Sequence, residues 1–314
     1  MGAYIGRRLL ATLVVMAIVG LIVFLLLHLA PGSPAAIIAG DNATPAQIAL
    51  INRQLGLDRP LPVQFGVWAW DVLRGRFGTS IFSGVPVMDL VVQRVPATVS
   101  LSLVTIVFAA TLAVTGGVLA AWRVGGLLDR TLMAVAALGF SVPVFVVGYL
   151  LIYVFAIRLR WLPVQGYVPM SGGLWPWFSH LMLPALALGL AYLALISRIT
   201  RAAVLEVLAE DYIRTARAKG ASEARVLFRH ALRGGLLPVV SFLGPAIAGI
   251  LTGSFVIETI FQIPGIGREF VNSAFNRDYT LVLGTVILYA VFIVVMNLAV
   301  DVVQVWLNPK LRFE

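Results

Sequence analysis

The sequence predicts an all-α, polytopic membrane protein with six transmembrane helices. Of its 314 residues, 60% are hydrophobic and only 12% are charged, and the mean hydropathy is +0.98. A soluble domain carries about 25% charged and about 45–50% apolar residues. Six stretches without charged side chains also reach the roughly 20 residues that a helix needs to cross a bilayer. A soluble globular fold is therefore excluded.

The predicted spans belong to one transmembrane domain, 1–314, and lie at about 9–30, 97–122, 131–157, 179–201, 236–257 and 279–303. An external segment at 31–94 follows the first span, and a polar loop at 202–234 follows the fourth. The first apolar run has a signal peptide as its alternative, but the hydrophobic region of such peptides has about 7–15 residues. Because this run has 22 residues and no small-residue cleavage site, we interpret it as a span.

The external segment is predicted to contain two short helices. Thr44, Pro45 and Gln47 match a capping box with proline at the first helical position. A second apolar face, around Trp68, follows a few residues later. We interpret Trp68 and Trp70 as anchors at the membrane interface, where tryptophan is enriched, with ligand contact as the alternative.

The distribution of basic residues predicts the orientation. Eight of the 23 Lys and Arg residues lie within 198–233, between two long apolar runs. With the N-terminus in the cytoplasm, 14 of the 23, including Lys310 and Arg312, fall in cytoplasmic segments. Cytoplasmic loops carry an excess of Lys and Arg, so both termini and the polar loop are predicted to be cytoplasmic.

The sequence lacks the residues that several functional classes require. The net charge of +9 could indicate nucleic-acid binding, but the basic residues flank apolar runs and form no basic tail. The chain has no Cys, which excludes thiol catalysis and Cys-ligated metals. It contains no GxxxxGK[ST] loop, and no span holds a paired acid, a Ser–His pair or an HExxH motif. We therefore predict no enzyme activity, no catalytic residue and no metal site in this chain.

The first half of the polar loop is predicted to form a short capped helix. Asp211 is placed to cap a helix over 212–219, and Lys219 in its last turn complements the helix dipole. Gly220 is placed to end the helix in a left-handed conformation, which glycine adopts without a Cβ penalty. The loop therefore begins with a helix that stops at a glycine elbow.

The second half is predicted to form another helix. Ser222 is placed as its cap, with Glu223 in its first turn, and the helix is expected to end near residue 233. We expect the pair Gly234 and Gly235 to break it before the next span begins. The predicted loop is thus two short helices that join membrane helices at both ends.

This loop is interpreted as a docking surface for a protein partner. Ala216 and Ala218 are small enough to allow close approach, and Arg214 and Arg217 carry forked donors that suit carboxylates or carbonyls. A basic patch on anionic lipid is the alternative. Lipid binding needs only charge, whereas the elbow, the caps and the small residues together favour docking.

The spacing of the loop resembles the EAA loop of binding-protein-dependent ABC importer permeases. Arg214, Thr215 and Ala216 stand at its first three positions, Gly220 is its glycine, and Leu-Leu-Pro at 236–238 approximates its ending. The leading Glu of the general pattern is absent. The RTARAKG form is similar instead to the dipeptide/oligopeptide/nickel subclass.

Other segments resemble the same subclass along essentially the whole chain, in the same order. They are YIGRRLL, FLLLHLAPGSP, LGLDRPLPVQF, GRFGTS, ETIFQIPGIG and LNPKLRF. Ser33 and Arg76 depart from the pattern, since an Asp is common at both positions. The chain is most similar to the first, B-type permease of such operons.

The resemblance implies an ABC importer type I permease fold in a bacterial or archaeal plasma (inner) membrane. It implies a heterodimer with a second related permease, two ATPase subunits that hold ATP and Mg, and an extracytoplasmic solute-binding protein. No cofactor is expected on this chain. The resemblance also implies that the loop docks its first helix, the coupling helix, on an ATPase. The residues expected to make that contact are Asp211, Tyr212, Arg214, Thr215, Ala216, Arg217, Lys219 and Gly220.

A second set of residues is expected to shape a loop or gate. Pro143 can bend its helix, and Pro264, Gly265 and Gly267 predict a tight turn beside Glu258. Glu258 either holds that turn by hydrogen bonds, which we favour, or meets the cationic terminus of a peptide substrate.

The function expected from the resemblance is ATP-driven import of short peptides or similar small polar solutes such as glutathione. Nickel chelates and oligosaccharides stay open as cargo, because similar permeases carry them. The alternative is an ion-coupled secondary transporter. Such a transporter is expected to need buried acidic residues, and the central spans contain no Asp or Glu.

Overall fold

The computed structural model describes residues 2–29, 34–39, 43–54 and 56–307. Lys310 and Arg312, which support the predicted orientation, and Ser33 lie outside these residues. The described chain is helical almost throughout, and an isolated antiparallel bridge between Thr79 and Pro86 is its β pairing. The all-α prediction is confirmed.

Thirteen α-helices follow one another along the described residues. They are α1 (Gly2–Leu29), α2 (Pro34–Ala39), α3 (Pro45–Gln54), α4 (Leu61–Leu73), α5 (Val87–Trp122), α6 (Leu127–Ser141), α7 (Val144–Leu151), α8 (Leu174–Leu208), α9 (Asp211–Ala218), α10 (Glu223–Arg225), α11 (Leu232–Ile260), α12 (Ile266–Phe275) and α13 (Tyr279–Leu307). Two π-helical segments, Ile152–Arg158 and Val226–Ala231, continue α7 and join α10 to α11. A short 3₁₀ turn, Met170–Gly172, precedes α8.

Four helices among the described residues are long and apolar enough to cross a membrane: Val87–Trp122, Leu174–Leu208, Glu223–Ile260 and Tyr279–Gln304. The bent pair of α6 and α7 makes a fifth when it is counted as one span. Within α1 the apolar stretch is the shorter Leu13–Leu25. The first of the six predicted spans, at 9–30, therefore stays a prediction.

The chain divides into two compact units, and the larger one comprises residues 96–268 and 293–314. Its core runs along α5, α8 and α11 in three successive clusters. The first cluster includes Leu101, Leu188 and Ile257, and the second is Ala113, Ile196 and Val239. The third lies where the polar loop meets these helices. From this order, α5 and α8 run in the same direction and α11 runs against them.

Small residues allow α5 and α8 to approach closely within this unit. A Cβ added at Gly117 would lie 2.6 Å from the Cβ of Thr200 and 2.8 Å from the carbonyl oxygen of Ser197. Such contacts between small residues drive helix association in lipid, where no hydrophobic effect separates one helix from the acyl chains. The α5–α8 contact therefore depends on the absence of a side chain at Gly117.

The predicted span 131–157 is not one straight helix. It is broken at Val142 and Pro143 into α6 and α7, which meet at a bend of 107°. Val142 is extended, and Pro143 stands at the N-cap of α7 with a φ of −57°. Proline lacks the N–H that would continue the ladder of α6, so the helix ends there and a new one begins. The bend expected at Pro143 is confirmed.

The second unit comprises residues 1–95 and 269–292. In it, the hydroxyl oxygen of Thr44 accepts a bond of 3.3 Å from the backbone N–H of Gln47, whose side-chain oxygen accepts one of 2.8 Å from the N–H of Thr44. This reciprocal pair is the predicted capping box, and α3 begins at Pro45 as expected. Val87 and Leu281 centre a small core between the start of α5 and α13.

Gly117→Ala and Gly116→Ala test the close packing of α5 against α8. We expect Gly117→Ala to lower the free energy of unfolding by about 1–3 kcal/mol, the usual effect of overpacking. A Cβ at Gly116 meets nothing within 4 Å, so Gly116→Ala should leave stability unchanged or raise it by up to about 1 kcal/mol through helix propensity. Thermal unfolding of the solubilised protein measures both, and equal effects of the two changes would contradict the packing.

Candidate functional site

The first helix of the polar loop begins one residue earlier than predicted. Glu210, not Asp211, is the N-cap of α9, with an extended backbone (φ −69°, ψ 146°) and no side-chain capping bond. Asp211 is the first helical residue. Its carboxylate pairs instead with Arg214 at 2.8 Å, one turn along the exposed surface. The acidic residue still stands in the first turn, where the helix dipole favours negative charge.

The glycine elbow is confirmed. Gly220 has a φ of +79°, and the backbone N–H groups of Gly220 and Ala221 donate to the carbonyls of Arg217 (2.9 Å) and Ala216 (3.1 Å). This pair of bonds is a Schellman motif, which satisfies the last carbonyls of a helix. Lys219 is the C-cap residue of α9. The chain direction after α9 is therefore fixed by backbone hydrogen bonds.

An ion pair joins the two sides of the elbow. Arg217 donates from Nε and Nη2 to the two carboxylate oxygens of Glu223, at 2.9 and 3.3 Å. A forked pair of this kind adds geometric definition, although a solvent-exposed pair contributes little to stability. Arg217 was predicted to offer its donors to a partner, but in the structure it braces the elbow.

The loop is seated on an apolar cluster, named here the loop core. It consists of Val118, Ala121, Val204, Ile213, Val226, Leu227 and Ala231. Ile213 of α9 is fully buried among residues from the ends of α5 and α8 and from the π-helical segment. Seven of the eight α9 residues are exposed or half-buried, so Ile213 is the side chain that anchors this helix.

The predicted break at Gly234 and Gly235 is wrong, because the helix runs unbroken from residue 223 to Ile260. Both glycines lie against neighbouring elements. A Cβ at Gly235 would be 3.2 Å from the backbone of Ala203, and one at Gly234 would be 2.9 Å from the hydroxyl of Tyr212. They serve close packing of α11 against α8 and α9, and the helix continues because its backbone bonds are kept.

The residues predicted to make the partner contact share one exposed surface. Asp211, Tyr212, Arg214, Thr215, Arg217, Lys219 and Gly220 are exposed, and Ala216 is partly buried. Arg225, Phe228 and Arg229 extend this surface beyond the elbow and were not among the predicted site residues. Their spacing of three and four residues, which places side chains on one helix face, was the signal that could have found them.

A buried ion pair in the larger unit was also missed. Asp129, which is nearly fully buried, accepts bonds of 2.6 and 2.7 Å from the forked donors of Arg201, and one of 2.8 Å from the N–H of Gly125. The pair ties the start of α6 to α8, two turns before α8 ends. Asp129 is the only acidic residue between positions 90 and 205, and that isolation was its sequence signal.

Glu258 lies at the centre of the second candidate site. It is fully buried, and Oε1 accepts from the hydroxyls of Thr98 (2.7 Å) and Ser254 (3.1 Å), while Oε2 accepts from the N–H of Arg268 (2.9 Å). Thr98 in turn accepts a bond of 2.8 Å from the N–H of Ile266. The carboxylate therefore ties α5, α11 and the first turn of α12 together and faces no open space.

The turn beside Glu258 needs its glycines. A Cβ at Gly265 would clash with the Glu258 carboxylate, and one at Gly267 would lie 3.0 Å from its Oε2. Pro264 is half-buried between them and the end of α11. Of the two roles expected for Glu258, this geometry matches hydrogen bonding to the turn. Among the described residues, no group of three or more His, Asp or Glu is placed to hold a metal ion.

The sequence matches known proteins over its full length. Residues 113–313 match the family described as binding-protein-dependent transport system inner membrane component, and residues 1–102 match the N-terminal family of such membrane components. A probable peptide ABC transporter permease protein of Sinorhizobium fredii is 52% identical, with both chains covered completely. The glutathione transport system permease protein GsiC of Escherichia coli is 40% identical, with 99% of each chain covered.

The fold is similar to that of a solved ABC transporter. A chain of the inward-facing MetNI methionine ABC transporter superposes with a TM-score of 0.55 at 18% identity. The match covers 70% of the present chain and 97% of the other. This likeness shows a shared fold.

Glu258→Ala, Glu258→Gln and Glu206→Ala test the buried network. Removal of the carboxylate leaves the Thr98 hydroxyl and the Arg268 N–H without their acceptor, and each such group costs about 1–3 kcal/mol. Ser254 keeps the carbonyl of Leu251 as an acceptor. We expect Glu258→Ala to destabilise the transporter by at least about 2 kcal/mol and Glu258→Gln by less, because the amide keeps one acceptor oxygen. Glu206 is exposed and serves as the control. Thermal unfolding midpoints that match between Glu258→Ala and Glu206→Ala would contradict the network.

Proposed function

Because the chain belongs to the family of binding-protein-dependent transport system inner membrane components, we propose that it is one of two permease subunits of an ATP-driven importer of short peptides or similar small polar solutes. The cargo proposal is supported by the names of its relatives, which are described as peptide and glutathione permeases. The selectivity of the system is expected to reside largely in a solute-binding protein, a partner that the family description itself names.

The polar loop is proposed to couple this subunit to an ATPase. Its exposed residues form one continuous surface over α9 and the start of the following helix, rich in arginine. Arg214, Lys219, Arg225 and Arg229 suit carboxylates and carbonyl oxygens of a partner groove. Tyr212 and Phe228 add apolar contact area to this surface, and aromatic residues are enriched in protein interfaces.

The observation that carries this proposal is the seating of α9 on the loop core. An eight-residue helix is too short to be stable alone, since isolated helices shorter than about 12–15 residues are marginal. Burial of Ile213 fixes α9 to the ends of α5 and α8 and to the π-helical segment that leads into α11, and the Schellman bonds at Gly220 fix the direction of the chain after α9. A push on α9 is therefore expected to move these membrane helices as one body.

We propose the remaining partners and the orientation in the membrane as parts of the same importer. The second permease subunit completes the translocation path, and each permease docks one ATPase that binds ATP and Mg. The basic polar loop and both termini face the cytoplasm, and the external segment at 31–94 faces the binding protein, as the positive-inside rule favours.

The bend at Pro143 and the turn at Pro264, Gly265 and Gly267 are proposed to shape a gate. The 107° bend turns α7 across the direction of α6, and Glu258 holds the turn beside the end of α11. A fixed bend and a hydrogen-bonded turn supply rigid edges that can open or close when the helices that carry them move.

Ala216→Arg and Gly220→Pro test the coupling surface. The first places a long side chain where a partner must approach closely. The second cannot keep a φ of +79°, because proline fixes φ near −65°, and it removes the Gly220 N–H that closes the elbow. We expect both variants to insert into the membrane while substrate uptake and co-purification of the ATPase fall by about tenfold or more, which corresponds to about 1.4 kcal/mol of docking energy.

The matched controls are Ala49→Arg and Gly220→Ala. Ala49 is exposed on α3, outside the polar loop, so an added arginine there should leave ATPase binding near the wild-type level. Alanine at 220 keeps its N–H and tolerates the left-handed conformation at a penalty of about 1–2 kcal/mol, so it should cause a smaller loss than proline. Equal ATPase binding by wild type, Ala216→Arg and Gly220→Pro would overturn the proposed surface.

The energy source is tested in vesicles that contain the complete transporter. We expect uptake of a short peptide with ATP on the cytoplasmic side and no ion gradient, and no uptake with an ion gradient alone. Vesicles loaded with a non-hydrolysable ATP analogue serve as the control. Uptake that follows the gradient and ignores ATP would favour an ion-coupled secondary transporter and contradict the proposal.

A further inference from the structure

A cavity of about 620 Å³ lies wholly within the unit of residues 1–95 and 269–292. Its walls come from α1, α4, the segment 76–81 and the first turns of α13. Ligand cavities of proteins commonly enclose about 300–1,000 Å³. The cavity therefore has the volume of a binding site, and neither the proposed coupling nor the gate uses it.

One part of the cavity wall is apolar and comes from α1 and α13. Phe24 comes from α1, and Leu283 and Ile287 come from the candidate span that begins at Tyr279. Phe24 also packs against Trp68 of α4, with ring centroids 5.7 Å apart. Next to Phe24, the side chains of Ile22 and Leu25 are exposed, as expected of a helix that faces lipid. The apolar wall is thus continuous with a surface that suits acyl chains.

The other part of the wall is charged. Arg59, Arg76 and Asp71 all line the cavity, so two basic residues and one acidic residue border the same space. The backbone N–H of Arg76 donates to the carbonyl of Asp71 at 2.8 Å, which holds these two residues at adjacent points of the wall. Arginine binds phosphate through forked donors, and a carboxylate accepts bonds from an ammonium or a hydroxyl.

The outer face of α4 has the features of a helix at the membrane interface. Trp70 is 55% exposed, and the guanidinium of Arg74 lies 4.5 Å from its ring centroid. Leu73 is exposed as well. Exposed tryptophan and arginine side by side are typical of the headgroup level of a bilayer. The charged part of the cavity, which α4 helps to form, therefore belongs at the depth of lipid headgroups.

We propose that this cavity binds one phospholipid whose headgroup carries a hydrogen-bond donor beside its phosphate. The phosphate contacts Arg59 and Arg76, the ammonium of ethanolamine or a hydroxyl of glycerol contacts Asp71, and an acyl chain lies along Phe24, Leu283 and Ile287. This site stands apart from the proposed transport function, since it needs neither ATPase nor cargo. A lipid held here would fix α4 against α1 and the start of α13.

The opposite charges in the cavity wall favour such a lipid over phosphatidylcholine. Phosphatidylcholine carries a phosphate but no hydrogen-bond donor, so its headgroup would offer Asp71 no hydrogen bond. Phosphatidylethanolamine and phosphatidylglycerol both supply the phosphate and the donor. The proposal therefore predicts that both of these lipids bind and that phosphatidylcholine binds weakly.

The experiment measures lipid retention by the complete transporter in native mass spectrometry. The transporter is exchanged into palmitoyl-oleoyl phosphatidylethanolamine, phosphatidylglycerol or phosphatidylcholine before release from the membrane mimetic. We expect about tenfold greater retention of the first two lipids than of the third, the size that one charge-assisted hydrogen bond supplies. Arg59→Gln with Arg76→Gln should lower retention of both by a similar factor, and Asp71→Asn should reduce the discrimination against phosphatidylcholine.

The control is Arg53→Gln with Arg74→Gln, which removes two arginines of the same segment that do not line the cavity. Val67→Trp fills the cavity from α4 and should lower retention of all three lipids. Equal retention of the three lipids, equal effects of the control and cavity arginines, or displacement of bound lipid by a dipeptide would each overturn the proposal. The last result would assign the cavity to a zwitterionic peptide.

Discussion

The burial of Ile213 is the contact on which the rest of the functional surface depends. The α9 helix has eight residues and presents mostly polar side chains, so neither its length nor its composition gives it independent stability. Full burial of one isoleucine side chain stabilises the folded state by about 1.5–3 kcal/mol. For so short a helix this contribution is large. The other members of the loop core come from the ends of α5 and α8 and from the π-helical segment that leads into α11, so these elements fix the position of α9.

Polar groups that lie near the ends of helices fix the direction of the chain there. Arg217 and Glu223 brace the exposed elbow, Asp129 and Arg201 join the start of α6 to α8, and Glu258 holds the first turn of α12. Glu258 is fully buried and Asp129 nearly so, and each carboxylate accepts several hydrogen bonds. Loss of one partner in such a buried group is far more damaging than loss of the exposed pair. The stiff parts of the fold are therefore the joints between helices.

The sequence predicted the features that depend on local chemistry. The capping box of Thr44 and Gln47, the left-handed Gly220 and the bend at Pro143 all follow from what one side chain or one missing N–H allows. The sequence did not predict the features that depend on contacts between residues distant in the chain. Gly234 and Gly235 look like a break, but they lie against Tyr212 and Ala203, and the helix continues. The isolation of Asp129 in the sequence marks it as unusual, but nothing near it in the sequence identifies its partner, Arg201, 72 residues away.

A spin-label distance between α9 and α8 tests the central claim, that the polar loop moves as one body with the membrane helices. The chain has no Cys, so Arg198→Cys and Ala218→Cys, both at exposed positions, provide a single labelled pair. Pulsed electron paramagnetic resonance on the complete transporter would be recorded without nucleotide and with ATP trapped by vanadate. The account predicts one narrow distance distribution that is the same in both states. A shift or a second population on ATP binding would contradict it, because α9 would then move independently of the helix it is proposed to drive.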